Sequence, residues 1–466
     1  MTTAERPRTL GELKASGYKV LPVREEMRKN LITKIRSGED LFPGVFGYEE
    51  TVVPHIVNAI LAGQDIIFLG ERGQAKSRII RSLTSLLDDE TPILANCEIP
   101  EDPFNPITRA GRDIIEAQGD AAELTWLSRD DRYGEKLATP DITIADLIGE
   151  VDPIKVAEGK YLSDELTIHY GLIPRTNRGI FCINELPDLA ERIQVGLLNI
   201  MEERDVQIRG YRIRLALDVF VVSSANPEDY TNRGRIITPL KDRYGAQVRT
   251  HYPVKIEHEI DIMEAEHHPV PADFNVTVPA YMKEVIAEIS RLARRSPDVN
   301  QRSGVSVRAS IANYESMLAN ALRRSIVNNE DQVVPRVSDL PYVVPTLSGK
   351  VEFETVEEGR EDQIIDKLIQ GAVVAVFNRN FNLGELEPVV TRFKAGVSAE
   401  VGDMVPSAQY VSLAQQIEGL SPAVEKLGAD KSAGETAAAV EFILDGLHLN
   451  KRLNKDKVGT RVQYRG

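Results

Sequence analysis

The 466-residue sequence lacks the features that mark several large classes of protein. No uncharged apolar run reaches the roughly 18 residues that indicate a transmembrane helix, so no membrane span is expected. The N-terminal segment lacks the apolar core of a secretory signal, and we therefore expect a cytoplasmic protein. The 32 glycines and 25 prolines are an average share, which excludes collagen-like and low-complexity classes.

Cysteine is also scarce, because the chain holds only Cys97 and Cys182. Two scattered cysteines form neither a disulfide framework nor a metal knuckle, so we expect buried thiols in a reducing compartment. The net charge of −15 argues against binding of nucleic acid over the whole surface. At roughly 100–200 residues per domain, the length predicts two to four domains or subdomains.

Up to about residue 255, apolar strands alternate with amphipathic helices. Asp65–Leu69 predicts a buried strand, and Ser77–Leu87 has apolar residues at helical spacing. Further strands are predicted at Ile93–Cys97, Ile180–Ile183 and Val219–Ser223. This alternation predicts a parallel sheet that is covered by helices on both faces.

The remaining segments give coarser signals. Residues 1–45 are charged and mildly helical, and helices are predicted within 275–325, 362–380 and 408–448. Residues 338–361 contain proline, glycine and an acidic cluster, which predicts a hinge or a loop. The basic tail 451–465 is expected to be solvated, with phosphate contact as the alternative.

The segment between the first predicted strand and its helix fits G-x-x-x-x-G-K-[ST] at all positions but one. Such a loop binds phosphates through backbone N–H groups and a lysine, while its hydroxyl binds Mg²⁺. Ala75 stands where glycine is expected, and its Cβ restricts a backbone position that often needs glycine's freedom. A plain strand–helix turn is the alternative. We predict ATP and Mg²⁺ as cofactors, with contacts from Gly70, Gly73, Gln74, Ala75, Lys76 and Ser77.

A second apolar strand, within Gly179–Leu186, ends in Asn184 and Glu185. In P-loop ATPases this strand usually ends in Asp-Glu, where the Asp holds the Mg²⁺ shell and the Glu polarises the attacking water. We predict Glu185 as the catalytic carboxylate and Asn184 as a metal-shell residue. Asparagine brings no negative charge, so weaker metal binding and slow hydrolysis are expected. A solvated carboxylate at the end of a strand is the alternative for Glu185.

Three further residues are candidates for the same chemistry. Asn226 follows the strand Val219–Ser223 and could orient the water opposite Glu185, although Asn-Pro is also a turn former. An arginine at a subunit edge can neutralise charge at a neighbour's γ-phosphate, and Arg243 is the first choice and Arg235 the second. A solvated surface arginine is the alternative for both.

Taken together, these residues resemble the AAA+ ATPases of the magnesium-chelatase I-subunit and MoxR-like group over about residues 45–325. The most specific piece is Tyr170–Gly179 running into Phe181–Glu185, which is similar to a P-G-L-L-x-x-A-H-R-G segment before the acidic motif. Leu240–Gly245 is similar to the family's L-L-D-R-F-G, whose arginine acts as the finger. Val45 and Gly47 lie where the family's V-x-G contacts the adenine side.

The resemblance implies an α/β fold, namely a P-loop AAA+ three-layer parallel sheet with a helical lid and a further C-terminal helical region. The implied domains are an N-terminal helical segment 1–45, the core 46–260, the lid 261–330 and the C-terminal region 331–466. Thr139–Gly149 would belong to the family's insertion in helix 2, and Val206–Arg214 to its β-hairpin or to an ordinary exposed one. Arg308, which opens a predicted helix, would report nucleotide state from the lid.

The implied function is a Mg²⁺-dependent ATPase that hydrolyses ATP in a ring, usually a hexamer, and remodels or loads a partner. In this family the partner is often a separate protein with a von Willebrand factor A domain, and this chain shows no D-x-S-x-S run of its own. The alternative is a nucleotide-binding ring scaffold with little hydrolysis, which Ala75 and Asn184 favour. A nucleic-acid-dependent regulator related to sigma-54 activators is disfavoured, because G-A-F-T-G is absent.

Overall fold

The computed structural model describes residues 6–152, 154, 165–203, 205–207, 214–226, 234–301, 303–354, 360–458 and 461–466. The chain divides into two compact units, Met1–His251 and Tyr252–Gly466. Among the described helices, none combines the length and apolar character that crossing a bilayer requires.

The first unit is built on a parallel five-stranded sheet. Its strands are β1 (Ile66–Leu69), β4 (Tyr133–Leu137), β7 (Gly179–Asn184), β10 (Val219–Ala225) and β11 (Ala246–Arg249), and their spatial order is β11-β1-β10-β7-β4. Every neighbouring pair is parallel. The parallel α/β sheet predicted from the alternation of strands and helices is confirmed.

One predicted strand lies elsewhere. The segment Ile93–Cys97 does not join the parallel sheet; instead β2 (Glu90–Leu94) pairs antiparallel with β3 (Leu124–Ser128). The place beside β7 belongs to β4, a sheet edge whose polar Glu135 and Lys136 gave no apolar signal. Cys182 is buried as expected, whereas Cys97 is only half-buried.

Helices cover both faces of the sheet and make it the middle of three layers. Alternate strand residues such as Phe68, Cys182 and Phe220 pack on one face, and Phe181 and Val221 pack on the other. The first face is covered by the helices Val23–Ser37, Val52–Leu61 and Lys76–Ser82. The second face is covered by Ile144–Leu147, Leu172–Arg175, Glu191–Gly196, Leu198–Glu202 and Thr238–Arg243. The predicted three-layer arrangement is confirmed.

The helix Val23–Ser37 is tied to the amino edge of the sheet, where the parallel strands begin. Arg24 pairs with the buried Asp65 just before β1, and the Val23 N–H donates to Asp218 just before β10 at 3.0 Å. Glu26 accepts two hydrogen bonds, at 2.7 and 2.6 Å, from the buried guanidinium of Arg132 just before β4. Two charged side chains and one backbone N–H of a single helix therefore hold the starts of three strands.

Glu26→Ala should lower the free energy of unfolding by about 3–5 kcal/mol, because it leaves the Arg132 guanidinium buried without its counter-charge. The control is Glu25→Ala on the same helix, whose exposed pair with Arg28 should contribute less than about 1 kcal/mol. Urea unfolding followed by the fluorescence of Trp126, the chain's single tryptophan, reports the first unit. An equal loss of unfolding free energy in both variants would show that the buried Glu26–Arg132 pair stabilises the unit no more than the exposed pair does.

Smaller elements complete the first unit. They are the helices Leu10–Ala15 and Arg109–Gln118 and the antiparallel pairs β5 (Gly149–Val151) with β6 (Ile168–Tyr170) and β8 (Asp205–Gln207) with β9 (Arg214–Ala216). The last pair forms the flanks of the predicted hairpin Val206–Arg214, whose tip lies outside the described residues.

The second unit is mainly helical. Its helices are Ile256–Glu266, Ala280–Ala293, Val307–Asn328, Val344–Ser348, Arg360–Asn380, Glu387–Lys394, Ser407–Gln416, Leu420–Lys426 and Ala433–Leu449. A short parallel pair joins β12 (Asn275–Val276) to β13 (Gln332–Val333). The predicted loop 338–361 instead contains a 3₁₀ helix, Val337–Val343, and the helix Val344–Ser348.

The basic tail forms strands, which its charge did not suggest, although basic side chains such as Arg461 and Arg465 are exposed as expected of a solvated segment. The strands β14 (Ala399–Val401), β15 (Asn454–Val458) and β16 (Arg461–Arg465) form an antiparallel sheet. Tyr464 is buried and its hydroxyl donates to Asp445 at 2.7 Å. The C-terminal region is therefore not wholly helical, because charged residues on one side of the hairpin concealed its buried side.

Candidate nucleotide-binding site

The loop between β1 and the helix Lys76–Ser82 has a backbone that only some residues adopt easily. Gly73 has a φ of 75° and Ala75 one of 55°, both in the left-handed region. For a residue with a Cβ this region costs about 1–2 kcal/mol. The sequence-based expectation that Ala75 occupies a position suited to glycine is therefore confirmed.

Packing explains the first glycine of the loop and anchors the loop itself. A Cβ on Gly70 would lie 1.9 Å from the Thr250 hydroxyl, so no larger residue fits. The buried Gln74 side chain accepts hydrogen bonds from the Glu71 N–H at 3.1 Å and from Thr250 Oγ1 at 2.7 Å. The loop is thus fastened to the end of β11.

A tyrosine supports the same loop from the other side. The Tyr48 hydroxyl lies 3.1 Å from the carbonyl oxygen of Gln74 and 2.6 Å from that of His251. Burial raises the pKa of Tyr48 to about 12, so the hydroxyl keeps its proton and donates. Sequence reasoning missed both Tyr48 and Thr250. The signal available was their position, one directly after the Val45–Gly47 segment and one at the end of the last strand of the sheet.

The Lys76 ammonium lies against the backbone of its own loop. It donates hydrogen bonds to the carbonyl oxygens of Gly70 and Glu71, the second at 2.7 Å. The side chain is buried, while the neighbouring Ser77 is exposed. A partly desolvated cation interacts strongly with an anion, because solvent screens it less. The arrangement suits the predicted phosphate contact.

Strand register brings the other predicted residues to the edge of the sheet at which the strands end. The Gly70 N–H donates to the Ala225 carbonyl at 3.1 Å, which places Asn226 beside the loop. The Glu185 N–H donates to the Ser224 hydroxyl at 3.2 Å, which joins the end of β7 to that of β10. Glu185 also has a left-handed φ of 55°. The loop, Glu185 and Asn226 therefore share the carboxyl edge.

Asn184 is held from two sides. Its Oδ1 accepts from Ser224 Oγ at 3.1 Å, and its Nδ2 donates to Glu135 on the neighbouring strand β4. Cys182 Sγ lies 3.5 Å from the same Oδ1, and burial raises the pKa of this thiol to about 12, so it stays neutral. A carboxylate that sequence reasoning missed thus lies directly beside the uncharged Asn184.

The donor atoms near the loop suit Mg²⁺. The Ser77 hydroxyl, the Asn184 amide oxygen and the Glu135 carboxylate are the hard oxygen ligands that this ion prefers, usually together with several waters. Within the described residues, no group of three or more His, Cys, Asp or Glu side chains could hold a metal by itself. The chemistry of the donor set therefore fits a Mg²⁺ that a bound nucleotide would share.

The two arginine candidates differ in exposure. Arg243 Nε donates to Glu202 at 2.9 Å and its Nη1 to the Pro239 carbonyl at 2.8 Å, with 27% of the side chain exposed. Arg235 is 77% exposed and lies 3.5 Å from Glu191. Both roles stay predictions.

The remaining predicted contacts lie apart from the loop in the chain. Val45 is half-buried against the first-face cluster, and Gly47 has a φ of 78°. Arg308 is exposed near the start of the helix Val307–Asn328 and belongs to the second unit. Their nucleotide contacts stay predictions.

Comparison with known proteins gives relatives over about half of the chain. No protein-family model matches. The chain is 28% identical over 264 residues to the uncharacterized protein YeaC of Bacillus subtilis, covering 52% of this chain and 77% of YeaC. It is 25% identical over 264 residues to the magnesium-chelatase subunit ChlI of a Nostoc species, covering 54% of this chain and 64% of ChlI. The chain thus spans less than two thirds of that subunit.

A longer sequence match points the same way. The ChlI subunit of a Synechocystis species is 23% identical over 361 residues, which cover 71% of this chain and 94% of that protein. A chain from the complex of the magnesium-chelatase subunits BchI and BchD has a TM-score of 0.35 at 18% identity, covering 69% of this chain and 98% of that one. The sequence similarity confirms the resemblance to the magnesium-chelatase I-subunit that the motifs predict.

Proposed function

We propose that this chain is a Mg²⁺-dependent ATPase that binds and hydrolyses ATP as one subunit of a ring. The observation that carries the proposal is the meeting of the Gly70–Ser77 loop with Asn184, Glu185 and Asn226 at the carboxyl edge of one parallel sheet. Parallel α/β sheets bind ligands at this edge. Mg²⁺, when bound, would neutralise phosphate charge.

Each residue would have one task. The loop N–H groups and Lys76 would hold the β- and γ-phosphates, and the Ser77 hydroxyl would hold the metal. Glu185 would polarise the attacking water, and Asn226 would orient that water. The hydrogen bond from the Glu185 N–H to Ser224 supports this, because it fixes the backbone that carries the carboxylate.

The ring and its partner follow from the resemblance and from Arg243. An arginine finger acts on a neighbour's nucleotide, so it requires assembly. We propose a homo-hexameric ring in the cytoplasm that remodels or loads a partner protein with a von Willebrand factor A domain. Two of the named relatives are subunits of magnesium chelatase, which agrees with a protein that works as part of an assembly.

A nucleotide-binding scaffold with little hydrolysis is the second candidate. Two observations favour it, namely the left-handed backbone at Ala75 and the uncharged Asn184 in the metal shell. Both features weaken the site without removing Lys76, Glu185, Asn226 or Arg243. The two candidates therefore differ in turnover rather than in binding.

The test is steady-state ATP hydrolysis against protein concentration, with and without Mg²⁺. An ATPase ring should show Mg²⁺-dependent turnover per subunit that rises with concentration, whereas a scaffold should bind ATP without turnover. Lys76→Ala should abolish binding, and Lys29→Ala, an exposed lysine paired with Asp88, is the matched control. Binding of ATP by Lys76→Ala at the parent's affinity would refute the phosphate-loop assignment.

Ala75→Gly should raise the free energy of unfolding of the first unit by about 1 kcal/mol, because glycine adopts the left-handed region without a Cβ clash. It should bind ATP at least as tightly as the parent. The control Ala117→Gly, at an exposed position in the helix Arg109–Gln118, should instead lose about 1 kcal/mol. Both free energies of unfolding are measured by urea unfolding followed by Trp126 fluorescence. If Ala75→Gly lost stability as Ala117→Gly does, Ala75 would not be strained.

A further inference from the structure

We infer that Glu135 supplies the negative charge of the Mg²⁺ shell that an aspartate at position 184 would otherwise provide. The inference rests on the proposed function, because it concerns the metal that accompanies the nucleotide. It assigns a metal-shell role to a residue of the edge strand β4 that no motif marks. Asn184 would then contribute a neutral amide to the Mg²⁺ shell, and Glu135 would contribute the negative charge.

Strand register places the two side chains together. In the pairing of β4 with β7, Glu135 lies opposite Cys182, and Asn184 follows two residues later on the same face of the sheet. That face carries the helix Lys76–Ser82, which begins at the phosphate loop. The Asn184 Nδ2 group donates directly to Glu135 Oε1. The carboxylate therefore touches the residue that occupies the usual position of the metal-shell aspartate.

The contact also explains why asparagine stands at position 184. An aspartate there would put a second carboxylate within hydrogen-bonding distance of Glu135, and two such groups cannot both ionise without cost. Asparagine turns the repulsion into a hydrogen bond, because its Nδ2 donates while its Oδ1 accepts from Ser224. The charge is relocated to the neighbouring strand rather than lost.

Arg81 pairs with the Glu135 carboxylate. Its Nε and Nη2 lie 3.0 and 3.1 Å from the two Glu135 oxygens, and the Tyr133 hydroxyl donates at 3.0 Å. Arg81 follows Ser77 by four residues, so both lie on one face of the same helical segment. The Arg81 side chain is 64% exposed and that of Glu135 is 22% exposed. Although the contact is bidentate, most of the Arg81 side chain is exposed, so solvent screens the pair and a divalent cation could compete for the carboxylate.

The test measures how much Mg²⁺ is needed for tight binding of a fluorescent N-methylanthraniloyl ADP. Glu135→Gln should raise the Mg²⁺ concentration for half-maximal binding about 10–100-fold, the usual cost of removing an outer-shell partner of a metal. Binding in excess EDTA should not change, because the phosphate loop is intact. The double variant Glu135→Gln with Asn184→Asp should recover the parent's Mg²⁺ requirement, since the charge returns to the position of the usual aspartate.

Arg81→Gln separates a metal role from a purely structural one. If Glu135 only paired with Arg81, removing either partner would have the same effect. We instead expect Arg81→Gln to keep or lower the Mg²⁺ requirement, because it frees the carboxylate for the cation. A thermal melt of each variant, compared with the parent, establishes that the fold is retained.

Two results would overturn the inference on its own. One is a Mg²⁺ requirement of Glu135→Gln equal to that of the parent, and the other is a double variant no better than Glu135→Gln. In both cases the parent still binds the analogue and Lys76→Ala does not, so the proposed function stands. A parent that fails to bind the analogue with or without Mg²⁺ would overturn both.

Discussion

Arg243→Ala should lower ATP turnover about 10³–10⁵-fold and leave ATP binding intact. The side chain is held by Glu202 and the Pro239 carbonyl, while the buried Tyr244 next to it bonds to Ser223 Oγ. If the guanidinium completes a neighbour's site, its loss cripples that site and spares its own. When both are measured on the same sample, ATP turnover should therefore fall while the binding of a fluorescent nucleotide stays at the parent's level.

Mixing two inactive variants tests the action across subunits. Lys76→Ala should not bind ATP but keeps its arginine, and Arg243→Ala keeps its phosphate loop. Mixed rings contain interfaces at which an intact loop faces an intact Arg243, so part of the activity should return and should rise with protein concentration. A mixture that assembles and stays inactive would move the assignment to Arg235.

Glu202→Gln is the matched control for Arg243. It removes the charge that pairs with the guanidinium within the subunit and leaves the arginine in place. A finger that acts on a neighbour should tolerate this change or work better, since it is released from the pair. A loss as large as that of Arg243→Ala would show instead that the Arg243–Glu202 pair matters for the subunit's own structure.

Glu185→Gln should stop hydrolysis while ATP binding stays at the parent's level. It keeps the shape and hydrogen bonding of the side chain and removes the base, and a positioned base contributes about 10²–10⁴-fold to the rate. Single-turnover hydrolysis of bound ATP measures the chemical step without assembly or product release. Glu191→Gln, an exposed glutamate close by in the chain, is the control and should leave the rate unchanged.

A rate for Glu185→Gln within about threefold of the parent would contradict the assignment, because it falls far short of the range for a positioned base. The left-handed backbone at Glu185 is a second property of this position that a substitution could disturb. Glu185→Gly, which suits that backbone but lacks the carboxylate, should be as inactive as Glu185→Gln. Activity in the glycine variant would mean that the backbone, not the acid, matters there.

The parts of the fold that could be predicted from the sequence are those that have a local apolar pattern. The strands β1, β7 and β10 are buried on both faces, so their apolar runs were visible. The edge strand β4 was missed because its consecutive charged residues Glu135 and Lys136 interrupt any apolar run. The C-terminal hairpin was missed for a similar reason, since only one of its sides is buried.

The same limit applies to the site. Lys76 and Glu185 belong to motifs with fixed spacing, so they could be found without a structure. Tyr48, Thr250 and Glu135 act through partners that are distant in sequence, for example the 49 positions between Glu135 and Asn184. Only the tertiary fold brings such residues together, and no local pattern encodes contacts of that kind. Where a motif residue is replaced, as by Asn184, a polar residue that compensates for it is therefore best sought on the adjacent strand.

The ties between the helix Val23–Ser37 and the starts of three strands bear on how force could pass through the first unit. Strands fixed at one end by Arg24, Val23 and Glu26 cannot slide past one another, because sliding would break the buried Glu26–Arg132 pair. The strands of the sheet should therefore move together as one rigid body. If the chain hydrolyses ATP as proposed, the movements that follow hydrolysis should occur in the segments beyond the carboxyl edge, while the opposite edge stays in place because these contacts hold it.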